Sequence, residues 1–278
     1  MTDFKYMVAP LEDYSCQAFR ALCYKYGADL TFTEMVRVAG LTRNNKSTWA
    51  RLTVDNDTPT QIQILVSKDD VLKKFLKDFS PNGKGFTGFN FNLGCPSPKI
   101  INTGQGCALI KRTNKIKTLT NIVKDHGYNV SLKMRLGMNR FEKEKKVYLN
   151  LINNVEADFY VVHARHGGEK YSEKADWSAY TDCVKTGKMI IANGDVKTKE
   201  DIQRLKEIGV KGAMIGRAAV TNPAIFNMMK GKEVPDINKL REEFLELSRK
   251  FETNQKYVDN VNKYIGREET SKDRMIEP

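Results

Sequence analysis

The chain has 278 residues, 40% hydrophobic and 29% charged, the balance of a soluble globular protein long enough to bury one large core. Lys and Arg number 46 against 34 Asp and Glu, a formal net charge of +12 that favours a polyanionic partner such as nucleic acid over a basic surface kept only for solubility. Five cysteines without CxxC spacing, three histidines and no apolar run near the ~20 residues of a membrane span argue against a disulfide framework, a metal site and a membrane protein. The start, MTDFKYMVAP, has no cleavage-site pattern, so the expectation is a cytoplasmic protein with reduced thiols.

In chain order, eight short apolar runs read as strands: 6–9 (YMVA), 30–34 (LTFTE), 61–66 (QIQILV), 88–93 (GFNFNL), 130–134 (VSLKM), 159–163 (FYVVH), 189–192 (MIIA) and 212–215 (GAMI). Several are apolar on both faces, as in a buried parallel sheet. Amphipathic stretches lie between most of them. SKDDVLKKFLKDF sets Val71, Leu72, Phe75, Leu76 and Phe79 at helical spacing and predicts a helix capped by Ser67. TKEDIQRLKEIG predicts a helix from Thr198 that stops at Gly209. The polar, basic excursion 36–59, with Arg37, Arg43, Lys46 and Arg51, is expected to loop over one end. The eightfold repeat predicts a (β/α)8 TIM barrel over residues 1–232, with a doubly wound sheet as the alternative. Beyond it, Leu240, Phe244, Leu247 and Phe251, then Val258, Val261 and Ile265, predict two helices. They form a short C-terminal helical appendix, 233–278, that packs on the barrel or docks substrate. One barrel holds a whole site, so a monomer is expected.

Functional groups of such a barrel gather at the carboxyl ends of its strands. Those ends read Ala9-Pro10-Leu11, Gln61 and Gln63, Asn92 and Cys95, Lys133 and Arg135, His163 and Arg165, Asn193-Gly194-Asp195, and Gly216-Arg217. ANGDV and IGRAAV each put a glycine at a strand end before a helix, where free N–H groups and Arg217 suit a phosphate; plain turn glycines are the alternative. Lys133 stands among apolar neighbours and needs a polar or anionic partner. An electron-rich ring such as a reduced flavin would serve, as would a carboxylate on an adjacent strand. Cys95 lies in a loop between Gly94 and Pro96. A thiol with a reference pKa of about 8.5 is mostly protonated at neutral pH and suits a general acid. A nucleophile is the other reading, but no histidine base is near it in sequence. Cys16, Cys23, Cys107 and Cys183 lie in helix-like segments and read as core fillers.

At these residues the chain resembles the tRNA-dihydrouridine synthases. The matching pieces are APLEDYSCQAFR, QI at Gln63, FNLGCPSPKIINTGQGCAL, SLKMRLG, VVHARHGGEKYSEKADW, IANGDV and GAMIGRAAVTNPAIF, in the family's order. The resemblance implies a barrel holding FMN, reduced by NADPH or NADH, that passes hydride to carbon 6 of a uracil while Cys95 protonates carbon 5. It implies Gln63, Lys133 and His163 as flavin-ring contacts over Ala9, Pro10 and Leu11. Asn193, Gly194, Asp195, Gly216 and Arg217 are the implied ribityl and phosphate contacts. Asn92, Arg135 and Arg165 are the implied substrate-binding groups. The partner implied is tRNA, with ribosomal RNA or a small molecule as alternative substrates and a non-catalytic RNA-binding protein as a further reading. Arg43, Lys46, Arg51, Lys99, Lys111 and Arg112 are candidates for phosphate contacts, or simply solvated charges. The chain departs from the pattern at His166-Gly167, where many relatives carry Thr-Arg. His166 either replaces that arginine as a donor or is exposed.

Overall fold

A computed structural model describes residues 3–267. Its strands are β1 (Lys5–Val8), β2 (Thr31–Phe32), β3 (Val36–Arg37), β4 (Thr60–Leu65), β5 (Phe86–Leu93), β6 (Val130–Arg135), β7 (Tyr160–His163), β8 (Ile190–Asn193) and β9 (Gly212–Ile215). The sheet runs β1-β9-β8-β7-β6-β5-β4-β2, with every ladder parallel. Its two edges meet through a bridge between Met7 and Leu30. Val8 N–H donates to Leu30 O at 3.0 Å and Asp29 N–H to Tyr6 O at 2.7 Å across the same seam. Spatial order therefore follows chain order around a ring. A doubly wound sheet would reverse it, so the (β/α)8 barrel stands.

All eight expected strands form. Strands β7, β8 and β9 are buried at every position, because helices cover the outside of the ring. The second run is trimmed to two residues. There the Thr33 hydroxyl accepts Gln63 N–H at 3.0 Å, so a side chain continues what backbone pairing would have done. The short β3 pairs with β4 outside the ring, within the excursion expected to be loop. That excursion also holds two short helices, Val38–Leu41 and Lys46–Ala50.

Helix Lys199–Ile208 begins and ends as expected. Thr198 Oγ1 accepts Asp201 N–H at 3.1 Å, the Asp201 carboxylate accepts Thr198 N–H at 3.0 Å, and Gly209 closes the helix at φ 99°. Ser67 is not a cap. Helix Asp69–Asp78 starts two residues later, with Asp69 and Asp70 set against its N-terminal dipole, and Ser67 lines the cavity described below.

Helices Ile237–Lys250 and Gln255–Tyr264 form over the C-terminal seams; the rest of the expected appendix, past residue 267, lies outside the described residues. Leu240, Phe244, Val261 and Ile265 are buried, and the first helix packs on helix Gln17–Lys25. Polar contacts fix the pair beside β1 and β2. Lys25 and Tyr26 both reach Glu243, Lys256 reaches Asp13 at 2.8 Å, and the Tyr257 hydroxyl bonds the buried Glu34 carboxylate. Cys23, Cys107 and Cys183 are buried and Cys16 is half-buried; all are free thiols. Among the described residues no helix is long and apolar enough to cross a membrane, and no group of three His, Cys, Asp or Glu side chains is placed to hold a metal.

Ring closure leaves no room at Gly212. A Cβ there would stand 2.5 Å from Lys5 O and 2.9 Å from Ile191 Cδ1. The carbonyl cannot retreat without opening the β1–β9 ladder. Gly212→Ala is expected to destabilise the fold by about 2 kcal/mol or more, read as a lower urea midpoint.

Candidate active site

One cavity of about 1170 Å³ opens at the carboxyl ends of the strands. All of the residues assigned above to catalysis, cofactor or substrate line it: Ala9, Pro10, Leu11, Gln63, Asn92, Cys95, Lys133, Arg135, His163, Arg165, Asn193, Gly194, Asp195, Gly216 and Arg217. Gln61 lies deeper, inside the barrel.

A chain of side-chain hydrogen bonds climbs the interior to Cys95. Ser131 Oγ donates to Gln61 Oε1 at 2.5 Å, and Asn90 Nδ2 to Ser131 Oγ at 2.7 Å. Gln63 Nε2 donates to Asn90 Oδ1 at 2.7 Å, and Asn92 Nδ2 to Gln63 Oε1 at 2.9 Å. Asn92 Oδ1 then accepts the N–H groups of Gly94 at 3.1 Å and Cys95 at 2.9 Å. Each amide orientation is set by the next, and the last one holds the loop. From the other side, Cys95 O accepts Cys107 N–H at 3.0 Å. Asn92 also donates to Met35 Sδ at 3.6 Å, so its amide is engaged by the protein on both ends.

The Cys95 thiol is half-buried, and burial pushes its pKa up; a backbone N–H at Ser97 and the cations Arg135 and Lys133 pull the other way. It therefore holds its proton at neutral pH. No histidine is hydrogen-bonded to it among the described residues, which leaves the nucleophile reading without a base. Lys133 has no carboxylate within ion-pair distance among the described residues, so the structural ion pair weighed above does not form. Burial, reinforced by Arg135, lowers its pKa to about 8.

Arg165 is 1% exposed and committed to the protein. It donates from Nε to Glu173 O at 2.9 Å, from Nη2 to Asp195 Oδ2 at 2.6 Å, and from Nη1 to His163 Nε2 at 3.1 Å. That last bond places the His163 proton on Nδ1. Burial and four surrounding cations hold the imidazole well below its ordinary pKa, so it is neutral. Asp195 also pairs with Arg217 at 3.2 Å and accepts Ala175 N–H at 2.9 Å, from a turn at φ 58°. Beside it Gly194 sits at φ 109°, where a Cβ would stand 2.8 Å from His163 Cδ2.

Tyr171 was missed. Its ring lies 4.6 Å from the Arg217 guanidinium and 5.8 Å from that of Arg135, and it stacks on His163 at 5.9 Å. Tyr171 lies within the matching piece VVHARHGGEKYSEKADW without an assigned role, and as the one aromatic of GGEKYSEK it was the available signal. Arg37 and Lys68 also line the cavity, alongside Arg43, Arg51 and Lys99 of the earlier candidates. Lys46 does not, while Lys111 and Arg112 line a separate hollow.

His166 is half-buried, with a side chain 16% exposed, and does not line the cavity; Nδ1 accepts Gly168 N–H at 3.0 Å, which leaves the ring proton on Nε2, on the side of Glu169. At Gly167 a Cβ would stand 2.7 Å from Met138 O, so this backbone has no room for the arginine of the relatives.

The titration of Lys133 gives a test. The unfolded lysine titrates near 10.5 and the folded one near 8, so between those values the unfolded chain holds the extra proton and stability rises with pH. Lys133→Met is expected to be more stable than the parent at pH 7, with the difference shrinking as pH climbs from about 8 to about 10.5. Urea midpoints of both proteins across that range would show it, and a constant difference would refute it.

Residues 7–275 match the family profile Dihydrouridine synthase (Dus). A probable tRNA-dihydrouridine synthase of Aquifex aeolicus is 30% identical over 236 residues, 81% of this chain and 72% of that one. A probable tRNA-dihydrouridine synthase of Helicobacter pylori is 33% identical, over 79% of this chain and 68% of that one. The tRNA-dihydrouridine(20a/20b) synthase [NAD(P)+] of Saccharomyces cerevisiae is 27% identical, over 79% and 61%. Among solved structures, TcOYE with pHBA superposes with a TM-score of 0.56 at 9% identity over 86% of this chain and 92% of that one, and morphinone reductase with 0.53 at 10% over 86% and 88%, which shows a shared barrel fold. With the family match running nearly end to end, this chain belongs to the dihydrouridine synthase family.

Proposed function

We propose that this chain reduces uridine to 5,6-dihydrouridine in tRNA, with bound FMN, NAD(P)H as electron donor and Cys95 as general acid. The observation that carries this reading is a half-buried thiol on a braced loop, in the same cavity as a lysine with no carboxylate within ion-pair distance among the described residues. The names of the relatives, with their tRNA and NAD(P)+, support the substrate class and the donor.

The residues present fit FMN. Lys133 offers a cation to a ring that gains negative charge, and neutral His163 offers a hydrogen bond, while Gln63 lines the cavity with its amide oriented by Asn90 and Asn92. Ala9, Pro10 and Leu11 form an uncharged floor, which Gly216 adjoins: a Cβ there would meet Ala9 Cβ at 3.4 Å. Asn193, Gly194, Gly216 and Arg217 suit the ribityl chain and phosphate. Asp195 would repel a phosphate, but Arg165 and Arg217 neutralise its carboxylate. Its part is to aim Arg217, and its turn supplies backbone.

When bound, the flavin supplies a hydride to carbon 6 of the uracil. Cys95 gives its Sγ proton to carbon 5, so the double bond takes up one hydride and one proton. The thiolate left behind is stabilised by Lys133 and Arg135 and regains a proton from water. A base inside RNA reaches the cavity only by leaving its stack. Arg37, Arg43, Lys68 and Lys99 along the mouth suit the phosphates on either side of it, and Asn260 brings the C-terminal helices to the same mouth.

Cys95→Ala is expected to keep its flavin and lose dihydrouridine formation by about 10²- to 10⁴-fold, measured on unmodified tRNA. Full activity would sink the acid role. Lys99→Gln is expected to weaken tRNA binding and lower its salt slope by about 1, measured by titration at several salt concentrations.

A further inference from the structure

Phe141 is 65% exposed, more than any other large hydrophobic side chain among the described residues. It stands on helix Arg140–Glu144, in the connection that leaves the carboxyl end of β6. That places it on the rim around the cavity mouth, outside the cavity itself. Leaving such a ring in water forgoes roughly 1.5–3 kcal/mol of burial. The segment is nevertheless held in one shape. The Asn139 side chain caps the helix by accepting Glu142 N–H at 3.0 Å. The buried Glu142 carboxylate accepts Met138 N–H at 2.8 Å and the Lys111 ammonium at 3.2 Å. Lys143 reaches Glu169 at 3.2 Å and Asp176 at 3.1 Å in the connection after β7. A braced scaffold thus presents a bare ring, with Lys145 Nζ 5.7 Å from its centroid.

The surroundings indicate what the ring meets. Residues 138–146 carry Arg140, Lys143, Lys145 and Lys146 against Glu142 and Glu144, and both carboxylates are paired. Lys145 has no carboxylate partner among the described residues. The other exposed large hydrophobics, Tyr24 and Trp49, stand on other elements, so Phe141 belongs to no wide apolar patch of the kind a protein partner covers. An isolated ring beside cations fits a nucleobase and its phosphates. Position agrees. Around the ring of strands β6 lies across from β1, and the C-terminal helices are fixed beside β1 and β2.

We propose that Phe141 is a stacking platform for an unpaired base of the RNA substrate, gripping it on the side of the mouth opposite the C-terminal helices. Lys145 meets an adjoining phosphate. This rests on the RNA-reductase reading.

The test uses the flavin-loaded chain and a labelled transcript of unmodified tRNA, with Kd measured at several salt concentrations. Phe141→Ala is expected to bind about tenfold more weakly, with flavin content and salt slope unchanged, because stacking carries no charge. Phe141→Trp should bind as the parent does, and Phe141→Leu should not recover. Lys145→Gln should lower the salt slope by about 1. Parent-like binding by Phe141→Ala, or full recovery with Leu, would overturn the platform, and an unchanged Kd in every variant would assign the ring to a protein partner. A parent protein that binds no tRNA would instead bring down the RNA reading itself, and the platform with it.

Discussion

Four cationic side chains, Lys133, Arg135, Arg165 and Arg217, converge at one end of a barrel, and their mutual repulsion opposes that convergence. The Asp195 carboxylate makes it tolerable. It accepts from Arg165 and Arg217 at once, and so ties the end of β7 to the helix that follows β9. A guanidinium as deeply buried as that of Arg165 would cost several kcal/mol without a partner. The bond from Arg165 to His163 depends on this pairing, and so does the imidazole tautomer. Lys133 and Arg135 are left out of the arrangement: among the described residues neither has a carboxylate within ion-pair distance, and Arg135 donates to His166 O at 2.8 Å.

Beneath the cavity the barrel interior carries a neutral line of side chains, of which Gln63 and Asn92 reach the cavity lining. Gln61, Ser131, Asn90, Gln63 and Asn92 are joined in a line across β4, β5 and β6. Buried amides are costly when unpaired and rigid when fully paired. Here the line ends on the N–H groups of Gly94 and Cys95, so the barrel interior rather than solvent decides where the thiol sits. The proposed acid role asks for that fixed placement more than for a shifted pKa, since a thiol is already protonated at neutral pH.

Charge and shape are divided similarly around the mouth. Arg37, Arg43, Lys68 and Lys99 sit on connections that border the Cys95 loop, and the C-terminal helices approach through Asn260. Across the ring, the close approach of Gly167 to Met138 O joins the connections after β6 and β7. The departure from the relatives at this glycine and the exposed ring of Phe141 therefore belong to one packed unit. A side chain at position 167 would push apart the two connections that brace the ring.

Much of this was legible in the sequence. Strands buried on both faces must be apolar throughout, so their runs stand out, and glycine or asparagine at their ends marks where the chain turns toward the site. Thr198 and Gly209 announced a helix because capping is decided by neighbours three or four residues away. Ser67 failed because an N-cap depends on where the first turn begins, and here the first turn begins at Asp69, after Lys68. Other features depended on partners remote in sequence. Arg165 reads as a ligand contact until Asp195, thirty residues on, claims its guanidinium. Tyr171 carries no role until the guanidinium of Arg217 lies by its ring, and His166 reads as a substrate donor until the cavity closes without it. The sequence by itself determined the barrel, the residue types at its rim and the family. Only the tertiary structure decided which polar groups are spent on one another and which are left to meet a ligand, because the hydrogen-bonding capacity of a side chain is allotted among neighbours in space.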